Sequence, residues 1–297
     1  MAKIGIVTVL YRSESVLRDF FKSLDKQTYK EFILYVIDNN SPDNSLKLSK
    51  ELKQQVNFET KIIENSENYG IAKGNNIGII QALADGCQYI LLSNNDIELE
   101  THAIEKLLIG MEQEKMNLAV PKIYFYGTNL IWAAGGKFKY ISGGTAHIGY
   151  HKEDCLKWNQ RYKVNYSPTC FMLIRSNIFH NIGLMDEAYF VYYDDTDFIY
   201  RCRKQKERII YIPESIIHHK ESTCTGGTKS DFTLYYNARN AVYFALKNFT
   251  LFHCCITAIA YFIYYWFIRR YNVLPQQRKL IKKGYKDGYK MYKKLYK

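Results

Sequence analysis

Four short apolar runs alternating with three helix-patterned stretches open this chain, and that alternation restricts its possible folds more than any other feature. Ile4–Leu10 reads as a continuous apolar strand, after which Val16, Leu17, Phe20, Phe21 and Leu24 recur at helical spacing. Phe32–Ile37 reads as a second strand, closed by the turn-rich run Asp38-Asn39-Asn40-Ser41-Pro42-Asp43. A polar helix from about Leu46 to Gln54 leads to a strand at Phe58–Glu64, and a helix from about Ile71 to Ala84 precedes the strand that begins at Tyr89. Parallel strands joined through helices need right-handed crossovers, so the pattern predicts a doubly wound sheet. Such sheets bind ligands just beyond the carboxyl ends of their strands. Residues at those ends are therefore the candidates for chemistry.

The stretch from Lys122 to Tyr166 is richer in glycine and aromatics, and reads as an antiparallel extension or a loop-rich region. Cys170–Arg175 resumes a strand, Asp195–Gln205 reads as a helix, Ile209–Ile212 as a strand ending at Pro213, and Phe232–Asn248 as a helix. No internal repeat or low-complexity linker interrupts them. A chain of 297 residues suffices for one large core, or for a core with an appended segment. Seven cysteines, an odd number with no C-x-x-C pair, favour reduced thiols in a cytoplasmic setting. The N-terminus enters a strand directly and lacks the pattern of a secretory leader. Eleven of the Lys and Arg residues fall between Arg269 and Lys297, against one acid, Asp287. The overall charge of +12 thus leaves a nearly neutral body with a cationic tail, which argues against a nucleic-acid-binding surface.

Several strand ends carry suggestive residues. Tyr89-Ile90-Leu91-Leu92 gives way at once to Ser93-Asn94-Asn95-Asp96, placing a hard carboxylate where a buried strand runs out. A divalent cation carrying phosphate suits that spot, and so does a cap for a helix starting near Thr101. Asp38 closes the second strand, where a carboxylate can accept the imide N–H of uracil or thymine. Thr8-Val9-Leu10-Tyr11 closes the first. Asn68 through Asn76 is a small-residue helix entry whose amides suit a phosphate or ribose. Small residues also serve close helix–sheet packing, and the spacing matches neither G-x-G-x-x-G nor a Walker A loop. Asp194, Asp195 and Asp197 follow the aromatic run Tyr189–Tyr193. At a helix start they serve as caps and dipole partners, or they hold a general base in a partly dry cleft.

These pieces together resemble glycosyltransferase family 2, of the GT-A fold, in its bacterial rhamnosyltransferase-like branch for surface polysaccharides. The matching segments are Val36 to Ser41, Glu67 to Asn76, Leu92 to Asp96, Gly183 to Arg201, and Pro213 to His219, in that order. The resemblance spans Ile4 to about Asn248. It implies a mixed, mainly parallel, Rossmann-like α/β sheet flanked by helices, with residues 1–121 as the nucleotide-binding half and residues 122–248 as the acceptor and catalytic-base half. By this resemblance Asp38 reads the nucleotide base beside Thr8 and Tyr11. Asn40, Asn68, Lys73, Asn76 and Asn95 line the donor, and Asp96 holds Mg²⁺ or Mn²⁺ with His219. Asn94 stands where the family's D-x-D-type motif has its first acid. Asp195 matches the catalytic base, with Asp194 beside it in place of the branch's usual Glu.

The implied reaction is inverting transfer from a UDP- or dTDP-linked sugar, dTDP-rhamnose among the candidates, to a glycan or lipid-linked acceptor. One base and no covalent nucleophile imply inversion. Acceptor contacts are expected from Trp132 to Tyr166 and from the aromatic run Tyr189–Tyr193. A catalytically silent scaffold and a nucleotidyltransferase are the competing readings.

In the tail, Phe249–Ile268 has no Lys, Arg, Asp or Glu over 20 residues, and Tyr285, Tyr289, Tyr292 and Tyr296 repeat at helical spacing among lysines. Residues 249–297 are expected to form a hydrophobic and then a basic amphipathic helix. A single span would part the cationic tail from the catalytic body, so in-plane or re-entrant association with an anionic membrane, on the inner face of the cell membrane, is the preferred outcome. A helix packed on the catalytic body or on a second copy of the chain, and hence a homo-oligomer, is the other.

Overall fold

The computed structural model describes residues 2–139, 143–221, 230–264 and 274–296. Its first unit is β1 (Ile4–Leu10), α1 (Glu14–Asp25), β2 (Phe32–Asp38), α2 (Ser45–Lys53), β3 (Glu59–Glu64), α3 (Gly70–Ala84) and β4 (Tyr89–Ser93). All four strands are parallel, in the order β3-β2-β1-β4. Register aligns their ends: Leu10 lies opposite Asp38, and Val7 opposite Leu92. Successive side chains face opposite layers. Ile4, Ile6, Leu34 and Leu91 meet Leu17, Phe20 and Phe21 of α1 on one side, whereas Val7, Ile37 and Leu92 meet Ala72 and Ile79 of α3 on the other. Phe20 and Ile79 are fully buried, and truncating either to Ala removes about 2–5 kcal/mol.

The second unit turns the sheet mixed. It runs through β5 (Ile97–Leu99), α4 (Ala103–Gln113), β6 (Leu118–Phe125), β7 (Leu130–Ala133), β8 (Gly136–Lys139), β9 (Gly144–His147), β10 (Lys152–Glu153), β11 (Tyr162–Val164), β12 (Phe171–Arg175), α5 (Asn177–Ile182), α6 (Asp194–Lys204) and β13 (Ile209–His219). The expected antiparallel extension is β7 to β11. β12 inserts antiparallel between β4 and β6, with Phe171 opposite Ser93. β13 lies parallel to β6 and antiparallel to β5, with His219 opposite Ile97. The β13–β5 pairing carries a histidine from late in the chain to the turn after β4.

One expected boundary is corrected here. The strand at Ile209–Ile212 does not stop at Pro213 but continues to His219, with a register shift against β6 between Ile212 and Ile216. Proline cannot donate to the ladder, so the chain bulges past it and resumes pairing at Ile216 and Lys122.

The tail contains α7 (Asp231–Asn248), α8 (Leu251–Tyr264) and α9 (Pro275–Tyr296). Among the described residues no helix is long and apolar enough to cross a membrane. The expected apolar run extends to Ile268, and Tyr265, Trp266, Phe267 and Ile268 lie outside the described residues. α9 takes the packing alternative rather than presenting its whole apolar stripe to lipid. Ile281 is buried with Leu234 and Ala238 of α7, and Tyr235 donates to Asp287 across 2.9 Å. The single acid of the cationic tail is therefore an internal anchor. α8 keeps Leu251, Phe252, Ile256, Ile259 and Ile263 exposed.

Candidate active site

On one side of the cleft the strand ends carry buried polar atoms that the protein itself leaves unpartnered. Thr8 is wholly buried at the end of β1, and its hydroxyl has no partner. Asp38, 2% exposed, accepts the Ser41 N–H at 3.2 Å through Oδ2, while its Oδ1 and the Ser41 hydroxyl are unpartnered. Unmatched polar groups are costly in a folded interior, so each marks a point where a ligand can supply the partner. Tyr11 follows at the end of the strand with the Arg12 guanidinium 5.6 Å from its ring centroid, and Asn40 sits exposed with a left-handed φ of 54°.

The neighbouring helix entry is occupied differently. Gly70 has φ of 80°, and a Cβ there would lie 2.2 Å from the Phe190 carbonyl oxygen; the Ile71 N–H donates to that same oxygen at 2.6 Å. A Cβ on Gly74 would press on Val9 at 2.9 Å. The small residues thus serve close packing, the second of the two sequence alternatives. The Asn68 side chain accepts the Gly70 N–H at 3.0 Å, and Lys73 Nζ stands 3.6 Å from the Tyr69 ring centroid. Asn76 is buried, donating to Met185 O at 2.9 Å and Glu187 Oε1 at 3.0 Å and accepting the Met185 N–H at 3.0 Å. Both hydrogens of its amide are committed to the protein. Asn39, not singled out by sequence, organises this corner by donating to Gly70 O at 3.0 Å and accepting from Asn65 at 2.8 Å.

Beyond β4, Asn95 is buried and donates to Val9 O at 2.8 Å, tying the turn to β1. Asp96 Oδ1 and His219 Nε2 approach to 3.3 Å. Both of those atoms, and His219 Nδ1, are buried without a hydrogen-bond partner. Burial raises the proton affinity of Asp96, but the adjacent His219 and Asn94 outweigh it and hold the carboxyl below its ordinary value. An anionic oxygen beside an orphaned imidazole fits a divalent cation. Among the described residues no cluster of three or more such ligands forms. Trp132 covers His219, its ring centroid 4.5 Å away, and donates to Glu221 at 2.8 Å.

Asp194 and Asp195 open α6. Asp194 is 5% exposed, whereas Asp195 is half-buried and reachable. Tyr166 donates to Asp195 Oδ2 at 2.8 Å, and the Thr196 N–H and hydroxyl hold Oδ1 at 2.5 Å and 3.0 Å. Burial and then the neighbouring Asp195 push Asp194 up to about 8. Burial also raises Asp195, against the opposing pull of Tyr166 and Thr196. Proton affinity above the ordinary carboxylate range is what a general base needs near neutral pH. The buried Cys170 thiol senses both sides, pushed up by burial first and then by Asp96 and Asp195. The Cys170 carbonyl accepts the Asn94 N–H at 2.8 Å, which ties the start of β12 to the turn that carries Asp96.

The third acid of the motif has another task. Asp197 is completely buried and meets Arg201 at 2.8 Å, Lys247 at 2.9 Å and Asn248 at 2.8 Å. It locks α6 to α7. Asn240 and Lys247 are contributors outside the matched segments, and Tyr166, expected only at the end of a stretch of acceptor contacts, orients Asp195.

The chain's residues 5–185 match the family model for glycosyl transferase family 2. It is 25% identical over 243 residues to the low-salt glycan biosynthesis hexosyltransferase Agl10 of Haloferax volcanii, covering 80% of this chain and 73% of that one. It is 26% identical over 194 residues to the dTDP-rhamnosyl transferase RfbF of Shigella flexneri, covering 61% of each. Among solved structures, GalNAc-T7 with UDP, GalNAc and Mn²⁺ superposes with a TM-score of 0.63 at 17% identity, over 82% of this chain and 50% of that one. The sheet, the strand-end cleft and these likenesses define a glycosyltransferase of the GT-A fold. The chain belongs to glycosyltransferase family 2.

Proposed function

We propose that this protein transfers a sugar, with inversion, from a UDP- or dTDP-linked donor to a hydroxyl of a glycan or lipid-linked acceptor in cell-surface polysaccharide synthesis. The observation that carries the reading is the buried pair Asp96–His219 at the turn after β4, 3.3 Å apart with its facing atoms unpartnered. Asp38, with one unpartnered oxygen at a parallel strand end, accepts the imide N–H of the base. Asp96 and His219 would hold Mg²⁺ or Mn²⁺. When bound, that cation offsets the charge that develops on the departing diphosphate. Asp195, oriented by Tyr166 and Thr196, takes the proton from the attacking hydroxyl. No second carboxylate is positioned as a covalent nucleophile in this scheme, and a single displacement inverts the anomeric centre. The likeness to RfbF supports a dTDP-rhamnose donor, and GalNAc-T7 with UDP and Mn²⁺ supports a nucleotide diphosphate held with a divalent ion.

The exposed apolar residues Leu251, Phe252, Ile256, Ile259 and Ile263 of α8 support peripheral seating on the inner face of the cell membrane. A lipid-linked acceptor would be met there.

Incubation with a panel of UDP- and dTDP-sugars, with Mn²⁺ or with chelator, tests the reading. Release of nucleoside diphosphate that stops with chelator is the expected result. Release of nucleoside monophosphate would support a nucleotidyltransferase instead, and no turnover with intact folding would support the silent scaffold.

A further inference from the structure

The base sits on a backbone that the chain does not adopt without help. Tyr192 and Tyr193, directly before Asp194, have φ of 62° and 67°, a left-handed conformation that costs residues with a Cβ. Something must hold the turn, and α7 supplies it. Asn240, completely buried, donates to the carbonyls of Val191 at 2.7 Å and Tyr192 at 2.8 Å, and accepts from Arg239 Nε at 2.8 Å. Every hydrogen of its amide is committed to this turn. Arg239 also donates to Ala188 O at 3.1 Å, and the Tyr192 hydroxyl meets that of Thr233 at 3.0 Å.

The position of α7 is in turn set by α9. A Cβ on Gly288 would lie 2.1 Å from the Arg239 carbonyl oxygen, and one on Gly284 would lie 2.7 Å from that of Tyr235. Both helices touch through backbone, with Ile281 buried between Leu234 and Ala238 and with Asp287 holding the Tyr235 hydroxyl. The closest of these contacts falls on the residue next to Asn240.

We propose that α9 is a positioning element of the active site. By seating α7 through Gly284 and Gly288, it holds Asn240 against the Val191 and Tyr192 carbonyls and so fixes the turn that aims Asp195. Asn240 is then a positioning residue that acts through Asp195 and touches no substrate. The proposal rests on Asp195 being the base for its catalytic consequence, and stands on geometry for its structural one. It gives the cationic tail a task inside the enzyme, beyond any contact with lipid.

The full-length Gly288→Ala and Asn240→Leu proteins test it against Lys290→Ala, a change on the exposed side of the same helix. Hydrogen exchange of residues 188–197 is expected to quicken in the first two and stay at the wild-type rate in the third. Turnover with the donor that wild type accepts should fall in kcat by on the order of a hundredfold for Asn240→Leu, with donor KM and Mn²⁺-dependent binding of UDP or dTDP unchanged. Unchanged exchange in Gly288→Ala would overturn the proposal, as would loss of nucleotide binding in step with kcat, which marks general unfolding. Wild-type protein that turns over no donor fails the reading of Asp195, while the exchange comparison still decides the coupling of α9 to the turn.

Discussion

On the proposed donor side, Asp38 closes β2 opposite Leu10, Thr8 lies two residues before the end of β1, and Asp96 follows in the turn after β4. On the base side, Asp195 follows a left-handed turn and is aimed by Tyr166 from 29 residues earlier and, through the turn, by Asn240 from 45 residues later. The first arrangement needs only correct strand pairing, and its polar atoms wait unpartnered. The second is held by side chains that converge from distant segments, and its carboxylates are already hydrogen-bonded. A donor site of the first kind tolerates loop variation around it, whereas a base of the second kind depends on helices far from the chemistry.

Substitutions separate the two sides by the size and the kind of their effects. Asp195→Asn should reduce transfer by roughly 10²–10⁴-fold without disturbing the fold, as measured by turnover beside a thermal melt. Asp197→Ala leaves Arg201 and Lys247 facing an emptied buried position and should cost about 3–5 kcal/mol of stability; denaturant unfolding reads it. Asp38→Asn removes an anionic acceptor and should weaken UDP or dTDP binding by about 10–100-fold while leaving the melting temperature near wild type.

A smaller effect probes how the base is tuned. Burial raises Asp195, so the active deprotonated form appears only as pH rises above the ordinary carboxylate range, and kcat should climb along an acid limb there. Tyr166 stabilises the charged form and lowers that pKa. Tyr166→Phe should therefore move the limb to higher pH. An unmoved limb would detach Tyr166 from the base. For stability the sign is opposite to that of a paired surface acid. The raised Asp194 binds its proton more tightly when folded, so its contribution falls as pH rises from the unfolded carboxylate range toward about 8.

The donor side was largely legible in the sequence because strand ends follow directly from the apolar runs, and the switch from Leu92 to Ser93-Asn94-Asn95-Asp96 shows in the residues themselves. Around Asn76 the sequence leaves both uses open, because a small-residue helix entry looks alike whether its amides face phosphate or a neighbouring carbonyl. The extension of β13 past Pro213 was hidden because a bulge, which depends on the partner strand, cancels the usual meaning of a proline. Asn240 carried no signal at all. An asparagine in mid-helix reveals nothing of the turn it clamps until the tertiary structure sets the two together.

The claim that the cleft has a cation side and a separate base side is tested most directly by titrating UDP and dTDP, with and without Mn²⁺, into wild type, Asp96→Ala and Asp195→Asn. Asp96→Ala should lose the Mn²⁺ enhancement of nucleotide binding, and Asp195→Asn should keep it in full. An Asp96→Ala protein that retains the wild-type Mn²⁺ response, or an Asp195→Asn protein that loses it, would contradict the account.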